Sequence, residues 1–458
     1  MNFALRKFRE YGLDEAYLLP MRETIAPGEG GAVNTSSGTA VGILRGSSDR
    51  VIVIGGHIDS ASPDIPGAND NGSGSAVVLE LARVLSHRAN ASTIVFALFG
   101  GEELNLLGSR HFVDNFPQID KVALMIQIDM ANGSPWLLPL PHAGSVSAPS
   151  WLVRAAYEEF DRLGYSGLSY PTHFFSFNKL IPGGGVGSDH MPFLERGIPA
   201  IDFTSDPTDP IHTPQDTFEN FLPPGLKRSG DLVYALVERF DEGVPDERTG
   251  TYHLIQFGSL LLFLPLEILW VIALVGWGLG IATFVRLRKQ RIDEHPRPGI
   301  PGLKLFLLML IIQICVWYSE NIVGIIKGTR YPWLSEPDGY LVLGFLAGVL
   351  GIWFSLRIAP KMNFSRDPHR YFVPAFILLT VLIALFSLIS PSLALYPATG
   401  LAGISLALLV RPPLLKIVFW ILSPHFMFRL MFSEAYPLLS RSLAYAPIEG
   451  ILASMILH

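Results

Sequence analysis

The sequence predicts an α/β domain with a mostly parallel, doubly wound sheet, followed by an all-α bundle of transmembrane helices. In the first half, short apolar strands alternate with helical patterns, which is typical of a parallel sheet covered by helices. From about residue 254 onward the chain becomes strongly apolar, in runs near the length that crosses a bilayer. We therefore expect one domain at 1–245 and a second at 246–458, joined by the polar residues 241–251.

Four apolar runs predict the parallel strands: Val51–Ile54, Thr93–Phe99, Val122–Ile128 and Ala200–Phe203. A helix is expected at Ala76–Leu85, and a closing helix at Asp231–Phe240. Parallel strands present their carboxyl ends at one edge of a sheet, where ligand sites form in α/β proteins. Residues with metal-binding or acid–base side chains follow the strands or precede the helix, and we expect them to share one crevice: His57, Asp70, Glu102, Glu103, Asp129 and His212.

This mixture of imidazoles and carboxylates suits two divalent cations. Zinc accepts nitrogen and carboxylate oxygen ligands and lowers the pKa of a bound water to about 7. Three carboxylates, those of Asp70, Glu103 and Asp129, together with a metal-bridging hydroxide would neutralise two zinc ions. The adjacent Glu102 is then available as the general base that takes a proton from water.

Asp59 follows His57 by two residues, so both side chains point to the same side of an extended segment. Its carboxylate can accept the other imidazole N–H and fix the tautomer, or it can cap its own loop. A single His or Asp in a loop is usually only solvated, and Glu102–Glu103 alone would be a polar turn. The ordered occurrence of all these residues favours a metal site.

Six motifs carry these residues along the chain: His57-Ile58-Asp59, Gly67 to Gly74, Gly101-Glu102-Glu103, Gln127-Ile128-Asp129-Met130, Gly187-Ser188-Asp189-His190 and Ile211 to Thr217. Together, and in this order, they resemble the M28 family of zinc aminopeptidases over about residues 1–240. The resemblance implies a zinc aminopeptidase-like fold with a co-catalytic pair of zinc ions. Asp70 would bridge the two metals. Glu103 and His212 would complete one site, and His57 and Asp129 the other.

The same resemblance matches Glu102 to the general base and Asp59 to the partner of the first histidine. The implied reaction is the hydrolysis of the amino-terminal residue from a peptide with a free N-terminus. For Ser188-Asp189-His190 it implies a place near the site, and the spacing assigns these residues no role. The walls of the side-chain pocket are expected within residues 170–187.

Two other functions remain open. A glutaminyl-peptide cyclase shares the fold and many of the motifs but works with a single zinc ion. Gln127-Ile128-Asp129-Met130 has the peptidase form, and Ile211 precedes His212 where the cyclases tend to carry tryptophan. A non-catalytic scaffold, like the M28-like subunit of the GPI transamidase, is disfavoured because such subunits tend to lose metal ligands and none is missing here.

The second half predicts six transmembrane helices, at about 257–285, 303–326, 339–358, 371–390, 393–410 and 414–432. A seventh apolar run at 436–457 is interrupted by Arg441, Pro447 and Glu449 and could instead be re-entrant or interfacial. The protein is thus expected to be an integral, multi-pass membrane protein with the lipid bilayer as a partner.

Basic residues orient the predicted bundle. Those after the first, third and fifth spans are Arg286, Arg288, Lys289, Arg291, Arg297, Arg357, Lys361, Arg366, Arg370, Arg411 and Lys416. The connections between them carry only Lys327 and Arg330. By the positive-inside rule the first set is cytoplasmic, so the catalytic domain is expected on the non-cytoplasmic side: periplasm, exterior or organelle lumen.

Other features of the sequence give weaker constraints on the protein's start, covalent links and partners. Residues 1–20 contain neither a signal peptide nor an apolar span, and we expect an apolar segment upstream of this start in the source gene. The single cysteine, Cys315, rules out an intramolecular disulfide. A net charge of −6 without a long basic run gives no sign of a nucleic-acid partner, and the sequence does not predict an oligomeric state.

Overall fold

The computed structural model describes residues 1–24, 34–133, 136–172, 175–176, 187–205, 209–257, 260–293, 300–327 and 337–423. The chain divides into two compact units, Met1–Pro265 and Leu266–His458. The first unit runs past the boundary expected after residue 245. The reason is an antiparallel hairpin whose Leu254 and Leu261 belong to the core of this unit.

The strands, numbered in chain order, are β1 Glu15–Thr24, β2 Asn34–Leu44, β3 Val51–His57, β4 Thr93–Phe99, β5 Val122–Ile128, β6 Leu137–Leu140, β7 His142–Ala143, β8 Val146–Ser147, β9 Ala200–Ser205, β10 Tyr252–Phe257 and β11 Leu260–Pro265. Seven of them form one sheet in the order β1-β2-β4-β3-β5-β9-β6. The four central strands β4, β3, β5 and β9 are mutually parallel, whereas the strands flanking them pair antiparallel. The α/β prediction is confirmed, with a parallel centre and antiparallel margins.

The first unit's helices are Asn2–Glu10, Gly74–Leu85, Leu107–Asn115, Ser150–Arg162, Met191–Glu195 and Pro224–Phe240. They cover both faces of the sheet, as a ring contact on each side of β4 shows. Phe96 and Phe99 lie three residues apart on that strand and so point to opposite faces. The Phe96 ring centroid is 6.2 Å from that of Phe8, in the first helix. The Phe99 ring lies 5.6 Å from Phe112 and 6.3 Å from Phe193, on two other helices.

Strands β3, β4 and β5 are buried along their whole length. This burial explains their continuous apolar sequences, because both faces of a central parallel strand lie under helices. The structure extends β3 to His57 and β9 to Ser205, beyond the expected ends at Ile54 and Phe203. The helix expected from Ala76 begins at Gly74. His57 is therefore the last residue of β3, and the candidates Glu103 and Asp129 follow the ends of β4 and β5.

In its described residues, the second unit contains the helices Leu266–Lys289, Pro301–Lys327, Pro337–Ile358, His369–Ile389, Pro391–Leu409 and Pro413–Leu422. Within the described residues, four helical segments are long and apolar enough to cross a membrane: Leu266–Lys289, Val342–Met362, His369–Ile389 and Pro391–Leu409. The expected first span at 257–285 begins too early, because residues up to Pro265 belong to the hairpin. Of the expected spans at 414–432 and 436–457, only residues up to 423 are described.

Small residues bring helices of the second unit close together. A Cβ added at Gly276 would press on the carbonyl oxygen of Ala398, in the helix Pro391–Leu409. A Cβ at Gly280 would meet the Phe376 ring and Leu401. Such close approach at glycine is how helices associate in lipid, where the hydrophobic effect does not drive helices together.

Candidate active site

The carboxyl ends of three neighbouring strands carry the candidate residues to one edge of the sheet. His57 is the last residue of β3, and Asp129 follows the end of β5 directly. Glu102 and Glu103 come after β4, separated from it by Gly100-Gly101. The three strands are buried along their whole length, so the residues at their carboxyl ends are held in defined positions.

Asp70 lies at the centre of this group, in a buried turn at Ala68–Ser73 that leads into the helix Gly74–Leu85. One oxygen, Oδ1, is 3.1 Å from Nε2 of His57, and the other, Oδ2, is 3.0 Å from Nε2 of His212. Nε2 of His57 is also 3.1 Å from Oδ1 of Asp129. Nε2 of His212 lies 3.3 Å from Oε2 of Glu103. The five side chains thus form two groups that share one carboxylate.

Each group can hold a metal ion. In the set His57, Asp70, Asp129, and again in the set Asp70, Glu103, His212, the potential ligand atoms all lie within 4.8 Å of one another. Ligands bound tetrahedrally to zinc at about 2.0–2.1 Å are separated by roughly 3.3 Å, close to the distances seen here. Oε1 of Glu103 is buried without a hydrogen-bond partner among the described residues, as expected for an oxygen that binds a metal ion. Both sets fit zinc.

Asp59 supports the site differently from the sequence expectation. Nδ1 of His57 lies 3.1 Å from the backbone carbonyl oxygen of Asp59 and 3.6 Å from its carboxylate. The carboxylate instead accepts the backbone N–H groups of Glu102 and Glu103, each at 3.2 Å. The backbone oxygen therefore fixes the imidazole tautomer, while the carboxylate anchors the turn after β4.

The electrostatics of the site favour bound positive charge. Burial, followed by the nearby charge of Asp129, raises the pKa of Glu102 to about 10. Hydrogen bonds with Asp70 and Glu103 raise the pKa of His212 to about 10. Burial opposes protonation of His57, but the charge of Asp129 together with the hydrogen bonds to the surrounding carboxylates outweighs it and raises this pKa well above its usual value. A cation among these carboxylates would lower the pKa of Glu102 and leave it ionised, as a general base must be.

Two residues that the sequence analysis left without a role position Asp70. The buried carboxylate of Asp216 accepts the backbone N–H groups of Asn69 at 2.7 Å and Asp70 at 3.0 Å. Oδ1 of Asn71 accepts the N–H groups of Gly74 and Met130, and its Nδ2 donates to the Ile128 carbonyl, all at 2.9–3.0 Å. Both residues stand within the quoted motifs, and a side chain that reaches backbone far along the chain has no local signal.

Left-handed backbone conformations cluster at the same edge of the sheet. Among non-glycine residues, Met130, which follows Asp129, has φ of 73°, and His212 itself has φ of 55°. Gly67 before Asp70 and Gly101 before Glu102 have φ of 67° and 79°. Positive φ in a residue with a Cβ costs energy and persists where the surroundings enforce it, commonly at functional sites. The backbone is bent to present these side chains.

The turn Ser188-Asp189-His190 lies behind the site and is buried. Nε2 of Gln127 is 3.3 Å from both Oγ of Ser188 and Oδ2 of Asp189. Burial raises the pKa of Asp189 to about 7 and lowers that of His190 to about 4. The expected pocket walls at 170–187 lie mostly outside the described residues, which here include only 170–172, 175–176 and 187.

Comparisons with known proteins agree with the resemblance read from the motifs. Residues 39–237 match the model of Peptidase family M28 and contain every candidate metal ligand. The chain is 33% identical over 216 residues to Aminopeptidase YwaD of Bacillus subtilis, which covers 44% of this chain and 45% of that protein. The chain therefore spans less than half the length of this relative.

Two solved structures are similar over about half of the chain. One is BSAP, a zinc aminopeptidase from Bacillus subtilis, at 30% identity, with a TM-score of 0.39 and coverage of 48% of this chain and 54% of that one. The other is the glutaminyl cyclase of Porphyromonas gingivalis, at 21% identity, with a TM-score of 0.42 and coverage of 52% and 88%.

Replacing the carboxylate that holds the Asp70 backbone should weaken metal binding. In Asp216→Asn, the amide NH2 would face one of the two N–H donors now bound, so Asp70 loses part of its support. We expect zinc affinity to fall by about 10–100-fold, measured by competition with a chromogenic chelator. Glu219→Gln, at a nearby exposed position, is the control and should bind zinc normally. Unchanged affinity in Asp216→Asn would show that Asp216 does not position the ligand.

Proposed function

We propose that the chain, whose residues 39–237 match the model of Peptidase family M28, is a membrane-anchored zinc aminopeptidase with two metal ions. The observation that carries the proposal is the shared carboxylate of Asp70, which faces His57 with one oxygen and His212 with the other. Two ligand sets that meet at one carboxylate are suited to two adjacent metals rather than one. Peptides with a free N-terminus are the proposed substrates.

Under this proposal His57, Asp70 and Asp129 would hold one zinc ion, and Asp70, Glu103 and His212 the other. When bound, zinc supplies Lewis acidity, which polarises the scissile carbonyl and makes water more acidic. The free α-amino group of a peptide's first residue would bind near the other metal. Such binding would favour cleavage at the end of the chain over cleavage in its middle.

Glu102 would carry the proton through the reaction. Its carboxylate takes a proton from the attacking water and later delivers it to the departing amine, so the residue ends as it began. Asp59 keeps the backbone of Glu102 and Glu103 in place through its two hydrogen bonds. Because Glu102 and Glu103 are adjacent on one turn, the distance between the proposed base and the proposed metal ligand is fixed.

A glutaminyl-peptide cyclase with a single zinc remains the second candidate, and a scaffold without catalysis the third. The complete ligand set speaks against the scaffold, since Asp70 is within reach of both histidines. The 3.1 Å distance between Nε2 of His57 and Oδ1 of Asp129 favours a second metal site, which the cyclase does not use.

We further propose that the helices of the second unit anchor the enzyme with its catalytic domain on the non-cytoplasmic side. Helix Leu266–Lys289 ends in the basic residues Arg286, Arg288 and Lys289. Basic residues at span ends favour the cytoplasm, so the N-terminal end of this helix would face away from it. The enzyme unit directly precedes that end.

Changing Glu102 to Gln should abolish turnover while leaving metal content intact. The amide keeps the shape of the side chain but cannot accept the proton, so we expect kcat to fall by about a hundredfold or more. Glu103→Gln is the matched comparison on the same turn, and it should lose zinc as well as activity. Zinc is measured by elemental analysis of the purified, zinc-loaded protein. Substantial hydrolysis by Glu102→Gln would remove Glu102 from the mechanism.

Metal titration should separate the two enzyme candidates. After chelation, we expect hydrolysis of a leucine anilide to return fully only with the second equivalent of zinc, because the two ligand sets share Asp70. A peptide with amino-terminal glutamine should be hydrolysed and not cyclised. Full activity with one equivalent, together with cyclisation of the glutamine peptide, would establish the cyclase instead.

Sidedness can be checked by protease treatment of intact inverted vesicles. With the cytoplasmic face outward, residues 1–240 should be protected, and cleavage should appear only after detergent is added. A tag inserted at the exposed residues 290–293, which follow the helix Leu266–Lys289, is the control and should be removed at once. Digestion of the catalytic domain in intact vesicles would place it in the cytoplasm.

A further inference from the structure

The side-chain amide of Gln256, on strand β10, binds the backbone of the segment Leu168–Tyr170. Its Oε1 accepts the N–H of Tyr170 at 2.7 Å and the hydroxyl of Tyr157 at 2.9 Å. Its Nε2 donates to the carbonyl of Leu168 at 3.3 Å. Turning the amide over would place its NH2 against the Tyr170 N–H and its oxygen against the Leu168 carbonyl, so these two backbone groups determine the orientation. With the described residues, Gln256 therefore makes at least three hydrogen bonds, two of them to backbone.

The Leu168 carbonyl and the Tyr170 N–H, which bind Gln256, point away from the main sheet. On the other side of the segment, the N–H of Leu137 in β6 donates to Gly167 at 3.0 Å, and the N–H of Ser169 donates to Leu137 at 3.0 Å. Along an extended strand, successive backbone groups face opposite sides. The Leu168 carbonyl and the Tyr170 N–H thus face outward, and Gln256 meets them as a peptide unit of a further strand would.

Through His142, Tyr170 is connected to the buried turn Ser188-Asp189-His190 behind the candidate active site. Its hydroxyl lies 2.6 Å from Nε2 of His142. The backbone carbonyl of His142 accepts a hydrogen bond from Nε2 of His190 at 3.1 Å. Tyr170 and His190 are both buried, so water does not readily replace either contact.

The last link reaches a proposed metal ligand. Next to His190, the carboxylate of Asp189 lies 3.3 Å from Nε2 of the buried Gln127. Gln127 stands on β5, two residues before Asp129. Hydrogen bonds and buried side chains therefore connect strand β10 with the strand that presents Asp129, entirely within the first unit.

We propose that Gln256 is a positioning residue for the candidate active site. By holding Leu168–Tyr170 from outside the sheet, it fixes Tyr170 and His142 and, through them, the Ser188–His190 turn behind β5. This inference rests on the proposed function for its effect on catalysis, but its structural part does not. Gln256 touches neither substrate nor metal, so its removal should disturb the geometry of the site rather than the identity of its ligands.

The full-length protein with Gln256→Leu tests the proposal, and Tyr157→Phe is the matched control. Leucine has a similar size but leaves the Leu168 carbonyl and the Tyr170 N–H without partners. Phenylalanine at 157 removes one bond from the same amide and keeps both backbone bonds. We expect Gln256→Leu to lower kcat about tenfold, because it removes both hydrogen bonds that hold the backbone of the segment, with KM and zinc content unchanged. Tyr157→Phe should stay within about twofold of the original protein.

Hydrogen–deuterium exchange supplies a readout that does not depend on activity. In Gln256→Leu, peptides covering 167–170 and 187–193 should exchange faster, while β3 and β4 stay protected. Gln256→Glu keeps the two acceptor bonds, should show an intermediate effect, and takes the place of Gln256→Leu if that variant fails to fold. If the original protein is inactive on all peptides, the proposed function fails while the exchange result still decides the positioning role.

Three results would overturn the positioning role. The first is faster exchange confined to 167–170, because the support would then end at Tyr170. The second is an equal fall in kcat in Tyr157→Phe, which would point to general loosening around the amide. The third is a change in KM alone, because that would place the effect of Gln256 on substrate binding and not on the geometry behind β5.

Discussion

The carboxylate of Asp70 faces two imidazoles at once, one from each oxygen, and this double contact sets the spacing of the whole site. The two oxygens of a carboxylate lie a fixed distance apart. Because each oxygen of Asp70 contacts one imidazole, the carboxylate also sets the distance between His57 and His212. The Asp70 backbone is in turn fixed by Asp216. Precise placement of this one residue brings together side chains from β3, from the segment after β9 and from the turn after β4.

Much of this arrangement follows from sequence, and the reason is local. The strands β3, β4 and β5 are continuous apolar runs, and the fold class inferred from them is confirmed. A polar residue directly after such a run must lie at the carboxyl edge of a parallel sheet, which is why His57 and Asp129 could be placed together. The antiparallel strands β1, β2 and β6 lacked so clear a pattern, because marginal strands are only partly buried or short.

Other features depend on contacts between distant parts of the chain. The apolar run at 260–265 fits a strand as well as the beginning of a span, and only its pairing with β10 decides between them. The carboxylate of Asp59, expected beside His57, lies 3.6 Å from Nδ1 of that residue and also binds the backbone after β4, since strand pairing brings that turn within its reach. Asp216 and Gln256 act on backbone far away in sequence. Hydrogen bonds to backbone leave no trace in residue type, so spacing alone did not reveal them.

The hydrogen bonds of Gln256 at the margin of the sheet beyond β6 have a consequence for how copies of this protein meet. A strand with free backbone groups can recruit a strand from another molecule. In the segment Leu168–Tyr170, one amide occupies both of the groups that face outward. Within the described residues, an incoming chain would have to displace Gln256 before it could pair there. A single glutamine thus protects this margin against intermolecular strand exchange.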